Sequence, residues 1–177
     1  MSTYLFAYVV LTVAFLIAGG IARAQSASPV SIGSFRRWNA FTADAANGKM
    51  CFAVSQPTDS TYQPNNVKSR DPIYFMVATF ENQKIRNQVS TIIGYPFSKD
   101  SKVLVDVDGA KFTMFTEGTT AWIEDPAKEG GLVDAIRHGK AMVVQGTSSR
   151  GTATVDSYSL DGSSAALDAI AKECPVQ

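Results

Sequence analysis

The sequence predicts an all-β domain, a β-sandwich of about nine short strands with two short helices. Three observations carry this. Between residues 25 and 177, Val, Ile and Thr number 33 while Leu numbers only 4. β-Branched side chains crowd a helix and suit a pleated sheet. Apolar residues alternate with polar ones in short runs bounded by Gly, Pro, Asn and Asp, the two-residue period of half-buried strands. Helical spacing is confined to two stretches. The 177 residues fit one domain with a sizeable core. Sixteen basic residues against 16 acidic ones leave no basic footprint for nucleic acid.

The chain opens on an apolar run from Tyr4 to Ala22, 19 residues without a charge. Ala22-Arg23-Ala24 is a small-x-small cleavage pattern, and polar Gln25 and Ser26 follow it. Residues 1–24 therefore read as a secretory signal peptide, cut between Ala24 and Gln25. No Lys or Arg precedes the run, and its length nearly meets the ~20 residues that span a bilayer. An uncleaved membrane anchor is the alternative, and only then would the protein touch a membrane. Arg23, Arg36 and Arg37 after the run speak against the anchor, because they favour a cytoplasmic C-terminus. Residues 25–34 read as a flexible leader to a domain spanning 35–177.

Within that domain, strands are expected at 35–42, 49–56, 73–80, 87–94, 102–107, 110–116, 119–124, 140–147 and 152–160. The run Ile73-Tyr74-Phe75-Met76-Val77-Ala78 is apolar on both faces, as a central strand covered on both sides would be. Val103, Val105 and Val107 alternate with Lys102, Leu104 and Asp106 up to Asp108-Gly109. That dipeptide between alternating runs marks a two-residue hairpin turn. Three polar or turn-forming clusters between Pro57 and Asp71 suggest a long surface loop.

The first helix follows Asp125, a capping residue, and Pro126, which suits a first helical position. It turns Leu132, Val133 and Ile136 inward, and Gly139 ends it. The second runs over about 164–172. There Leu167, Ile170, Ala171 and Cys174 share one stripe. Met50, Phe52 and Val54 occupy one face of their strand and leave Cys51 and Ala53 on the other. A helix packed on the Cys51 face would bring the two sulfurs together. An exported chain with an even pair of cysteines favours a Cys51–Cys174 disulfide, and two buried free thiols are the alternative.

The residues hold little that reads as catalysis. His138 is the only imidazole, and it sits where a helix ends, beside Arg137 and Lys140, complementing the dipole. Asp106-Val107-Asp108-Gly109 begins like a calcium loop but places Ala110 and Lys111 where a ligand and Gly belong. Gly146 to Thr152 has the glycine spacing of a phosphate loop and lacks its Lys. One His and two Cys cannot complete a four-ligand zinc site without carboxylates. Asp106 with Asp108, and Glu124 with Asp125, are the carboxylate pairs a hydrolase would need. Trp38 and Trp122 read as core aromatics. If exposed, with Tyr62, Tyr95 and Tyr158, they would instead mark a binding face. No catalytic, cofactor or metal residues are expected.

Several segments, taken in order, resemble the invasion-associated locus B (IalB) family of exported bacterial proteins. They are Trp38, then Lys49-Met50-Cys51-Phe52-Ala53-Val54-Ser55-Gln56-Pro57, Arg70-Asp71-Pro72-Ile73-Tyr74, Asn87-Gln88-Val89-Ser90 and Gly94-Tyr95-Pro96. Asp108-Gly109-Ala110-Lys111-Phe112, Ala121-Trp122 and Leu132-Val133-Asp134-Ala135-Ile136-Arg137-His138-Gly139 follow. Ser149-Arg150-Gly151-Thr152, Asp156-Ser157-Tyr158-Ser159-Leu160 and Lys172-Glu173-Cys174-Pro175 complete the set, which covers nearly all of 35–175. The resemblance implies an immunoglobulin-like β-sandwich in the periplasm or envelope of a Gram-negative bacterium. It implies no established enzyme activity and no catalytic residues to transfer. The expected role is a non-catalytic module that binds an envelope or membrane protein, or a surface. An accessory subunit anchored in the inner membrane and a small carboxylate-dependent hydrolase are the other readings.

Overall fold

A computed structural model describes residues 28–45, 48–64 and 69–175. The apolar run, Ala24 and Gln25 lie outside the described residues. Among the described residues, eleven antiparallel strands form one continuous sheet, in the order β1-β2-β3-β5-β6-β9-β8-β7-β10-β11-β4. They are β1 (Val30–Phe35), β2 (Trp38–Ala45), β3 (Gly48–Ser55), β4 (Asp59–Gln63), β5 (Tyr74–Phe80), β6 (Ile85–Ile92), β7 (Lys102–Val107), β8 (Ala110–Glu117), β9 (Thr120–Ile123), β10 (Ala141–Thr147) and β11 (Ala153–Ser159). Two short α-helices, α1 (Glu129–His138) and α2 (Ser163–Glu173), accompany the sheet among the described residues.

The all-β, sandwich-like class holds, with one sheet folded over on itself in place of two separate sheets. Phe75 on β5 and Tyr158 on β11 meet edge-on across the core, centroids 5.9 Å apart. After β3 the chain crosses to the far layer, where Thr58 N–H donates to Ser157 O at 2.7 Å.

Two expectations change. Part of the leader expected over 25–34 is strand β1, paired with β2 through a turn at Arg36-Arg37. Arg36 takes the left-handed conformation, φ 55°, without the Gly or Asn that usually announces such a turn. Inside the expected loop from Pro57 to Asp71 lies β4, an edge strand on β11. Its Asp59-Ser60-Thr61-Tyr62-Gln63 is too polar to register as a strand by hydrophobic alternation. The Asp108-Gly109 turn is as expected, with φ values of 49° and 96°.

Strand register assigns the two faces. Trp38, Ala40, Cys51, Ala53, Phe75, Val77 and Val89 line the inner face and are fully buried. Both helices add to this core, α1 through Leu132, Val133 and Ile136 and α2 through Ala166, Leu167 and Ile170. At the end of α2, Cys174 is disulfide-bonded to Cys51, with the two Cα atoms 5.9 Å apart. Placing Cys51 on the core face therefore puts it beneath α2.

Candidate functional site

The opposite, outer face carries a row of side chains in register across five strands. Val54 on β3 pairs with Met76 on β5, and Met76 with Ser90 on β6. Ser90 pairs with Trp122 on β9, and Trp122 with Phe115 on β8. The adjoining row sets Phe41 opposite Phe52 and Phe52 opposite Ala78. Two aromatic pairs stack on this face. Phe41 and Phe52 lie 5.4 Å apart and Phe115 and Trp122 5.7 Å apart, centroid to centroid. Phe115 is 39% exposed, and Leu104, on the same face of β7, is 52% exposed. Both helices pack inward, and on this outer face Val54, Ala78 and Ser90 are buried while Phe41, Phe52, Met76 and Trp122 are half-buried. The apolar surface open to solvent is concentrated at Leu104 and Phe115, with half-buried Trp122 stacked on Phe115. Apolar surface grouped on one face marks interaction sites more often than scattered exposed residues do.

Each end of the row opens on a shallow groove. At the β8–β9 end, Gln88, Phe115, Glu117, Trp122, Pro126 and Glu129 line a groove of about 450 Å³. Its wall is built where the Pro126–Lys128 turn leads into α1. Asp125 accepts from Ala127 N–H and starts that turn. The Glu129 carboxylate accepts the Val89 N–H at 2.7 Å, just beyond the Ser90–Ile92 stretch that β9 covers. Burial raises the Glu129 carboxyl above its ordinary range, and the Val89 bond draws it part of the way back. At the β2–β3 end, a second groove runs past Arg37, Phe41, Val54, Pro57 and Tyr74.

A second concentration of polar groups lies inside the fold. Arg70 forms a buried ion pair with Asp156, their side chains 5% and 1% exposed. Ser60 donates to the same carboxylate at 2.6 Å. The Arg70 guanidinium lies over the rings of Tyr62 and Tyr95, at 5.3 and 5.7 Å. The Tyr95 hydroxyl meets Thr154 Oγ1 at 2.6 Å. Burial pushes the Tyr95 phenol up to about 12 and raises Tyr158 further.

The carboxylates singled out from sequence all serve the fold. Asp106 accepts from Gly109 N–H at 2.7 Å within the hairpin turn. Asp108 accepts from Lys140 and Ala141 N–H, joining that turn to the start of β10. Glu124 pairs with Lys102, and Asp125 caps. His138 holds the Asp134 carbonyl through Nδ1 at 2.8 Å, at the end of α1. Residues 146–152 turn β10 into β11. Among the described residues, no three His, Cys, Asp or Glu side chains are placed to hold a metal ion. No described helix is long and apolar enough to cross a membrane.

The two tryptophans divide. Trp38 is a core residue whose indole N–H donates to Ser159 O at 3.2 Å. Trp122, expected in the core, belongs to the outer face, because Ala121 and Ile123 take the inward positions of the four-residue β9. Sequence reasoning missed the outer row, although the Met50, Phe52, Val54 alternation opposite Cys51 was its signal. Arg70 had no signal beyond its place in a polar loop.

A sequence family described as Invasion associated locus B (IalB) protein matches residues 38–171. Among solved structures, the crystal structure of invasion associated protein B from Bartonella henselae is similar. It is 20% identical over 81% of this chain and 98% of its own, with a TM-score of 0.54. At that identity the likeness is one of fold. No curated protein sequence matches the chain.

Proposed function

From the premise that this chain belongs to the invasion associated locus B (IalB) family, we propose that it is a non-catalytic envelope protein that docks on another protein through its outer sheet face. The observation that carries this reading is the pair of adjoining rows on the outer face, with one stacked aromatic pair in each, Phe41–Phe52 and Phe115–Trp122. Aromatic side chains supply large contact area and are enriched at interface cores. The Cys51–Cys174 disulfide supports a place outside the cytoplasm, where such bonds persist. The structural engagement of Asp106, Asp108, Glu124 and Asp125 supports a binding role over hydrolysis.

Photo-crosslinking in the envelope tests the proposal. A benzophenone side chain at Phe115 is expected to give one discrete adduct, and the same group at exposed Lys172 on α2 none. Equal labelling from both positions, or none from Phe115, overturns it.

A second reading rests on the missing charge ahead of Tyr4. It is an accessory subunit held on an inner-membrane complex by an uncleaved helix. Intact mass of the native protein decides it, since a mature N-terminus at Gln25 removes the anchor.

A further inference from the structure

We propose that the groove between Trp122, Phe115 and Glu129 takes a cationic side chain, Arg or Lys, of a partner polypeptide. This deepens the docking reading above and rests on it. Three features of the groove select for a cation. The first is the stacked Phe115–Trp122 pair, whose ring faces carry negative quadrupole potential that attracts ammonium and guanidinium groups. The second is charge. Glu117 and Glu129 line the groove, and none of its lining residues is Lys or Arg. The neighbouring Glu124 is balanced by Lys102. Glu117 has no side-chain hydrogen bond or ion pair among the described residues. The third is desolvation. The Glu129 carboxylate sits against the sheet with its charge disfavoured by burial, and an incoming cation would relieve that cost. A volume of about 450 Å³ admits one long side chain with its neighbours. A neutral glycan could use the rings and would leave the carboxylates without a counter-charge. An anionic membrane surface would be repelled.

The test follows the two indole N–H resonances by NMR in the full protein. The probe is the tripeptide acetyl-Ala-Arg-Ala amide, with acetyl-Ala-Gln-Ala amide as the neutral control. The Trp122 indole is expected to shift on adding the Arg peptide, while Trp38, bonded inside the core, stays still and reports an intact fold. Glu117→Gln and Glu129→Gln should each weaken binding by about fivefold, the size of one exposed charge or cation–π contact. Added salt should weaken it as well. An unmoved Trp122 signal, or an equal shift with the Gln peptide, overturns the inference. A crosslink from position 115 with an unmoved Trp122 would leave the docking reading standing and remove the cation.

Discussion

Arg70 reaches from the loop after β4 into the fold and pairs with Asp156 in the middle of β11, with almost no solvent on either side chain. This bond joins a segment that sequence patterning leaves unstructured to the inner face of the sheet. Its energetics are asymmetric. Desolvating both ions costs about what their attraction returns, so the pair contributes little net stability, but removing one partner strands the other charge. Asp156→Ala and Arg70→Ala are each expected to lose about 3–5 kcal/mol. The double replacement Arg70→Met, Asp156→Leu should lie within about 1–2 kcal/mol of the parent, because no buried charge remains. Urea denaturation of the three variants checks this. Equal losses in the single and double variants would show that the pair does not act as a unit.

Gly94 fixes where Arg70 begins. Its carbonyl accepts the Asp71 N–H at 3.2 Å. It adopts φ 73°, and a Cβ there would lie 2.2 Å from the Asp71 carbonyl oxygen. Gly94→Ala therefore forces residues 70–72 away from the sheet, and backbone cannot yield as a flexible side chain can. The expected loss is about 2–4 kcal/mol, combining left-handed strain with a weakened buried pair. Introducing Gly94→Ala into the charge-free double variant, Arg70→Met with Asp156→Leu, should reduce that loss, since less then depends on where position 70 sits. Additive losses in the thermal midpoints would separate the two features.

Much of the sheet was legible because its strands alternate against one core. The segments at 102–107 and 110–116, with Asp108-Gly109 between them, are β7 and β8 to within a residue. Cys51 could be placed on the inner face because Met50, Phe52 and Val54 occupy the other. Patterning failed where a strand holds its place by edge pairing. Both β1 and β4 lie at the ends of the strand order, where one side of the backbone ladder is enough and the side chains need not be apolar. Patterning also failed for Trp122. Bulk and apolarity suggest a core residue, but parity on a four-residue strand is decided by Ala121 and Ile123. Arg70 illustrates the remaining gap, since a loop arginine shows its partner only when the chain is folded.

Glu129 gives the stability a pH dependence with a definite sign. Burial raises its carboxyl in the folded chain, outweighing the Val89 N–H bond. A raised folded value means the contribution of Glu129 is fully present below the unfolded-chain pKa. It is lost as pH rises through the folded value. Glu129→Gln keeps an acceptor for Val89 N–H and carries no charge. Its thermal midpoint, measured against the parent, should therefore gain as pH rises from about 3 to 7. A difference that stays flat, or falls, across that range would show that the carboxylate is well solvated in the folded protein.

The Cys51–Cys174 bond closes a separation of 123 residues and fastens the last turn of α2 to β3. Long-range closure restricts the unfolded chain strongly, by about 4–5 kcal/mol in the chain-entropy treatment. The folded chain already holds this junction in other ways. Lys49 pairs with Glu173 one residue before Cys174, and Leu167 and Ile170 anchor the helix in the core. Cys51→Ala with Cys174→Ala should therefore keep the fold and most of the core, while lowering stability by several kcal/mol. Hydrogen exchange should rise first at the end of α2, the part held by surface contacts once the bond is gone. Non-reducing mass spectrometry of native protein is expected to show the linked 51–174 peptides. Two thiols open to alkylation after denaturation without reductant would exclude the bond.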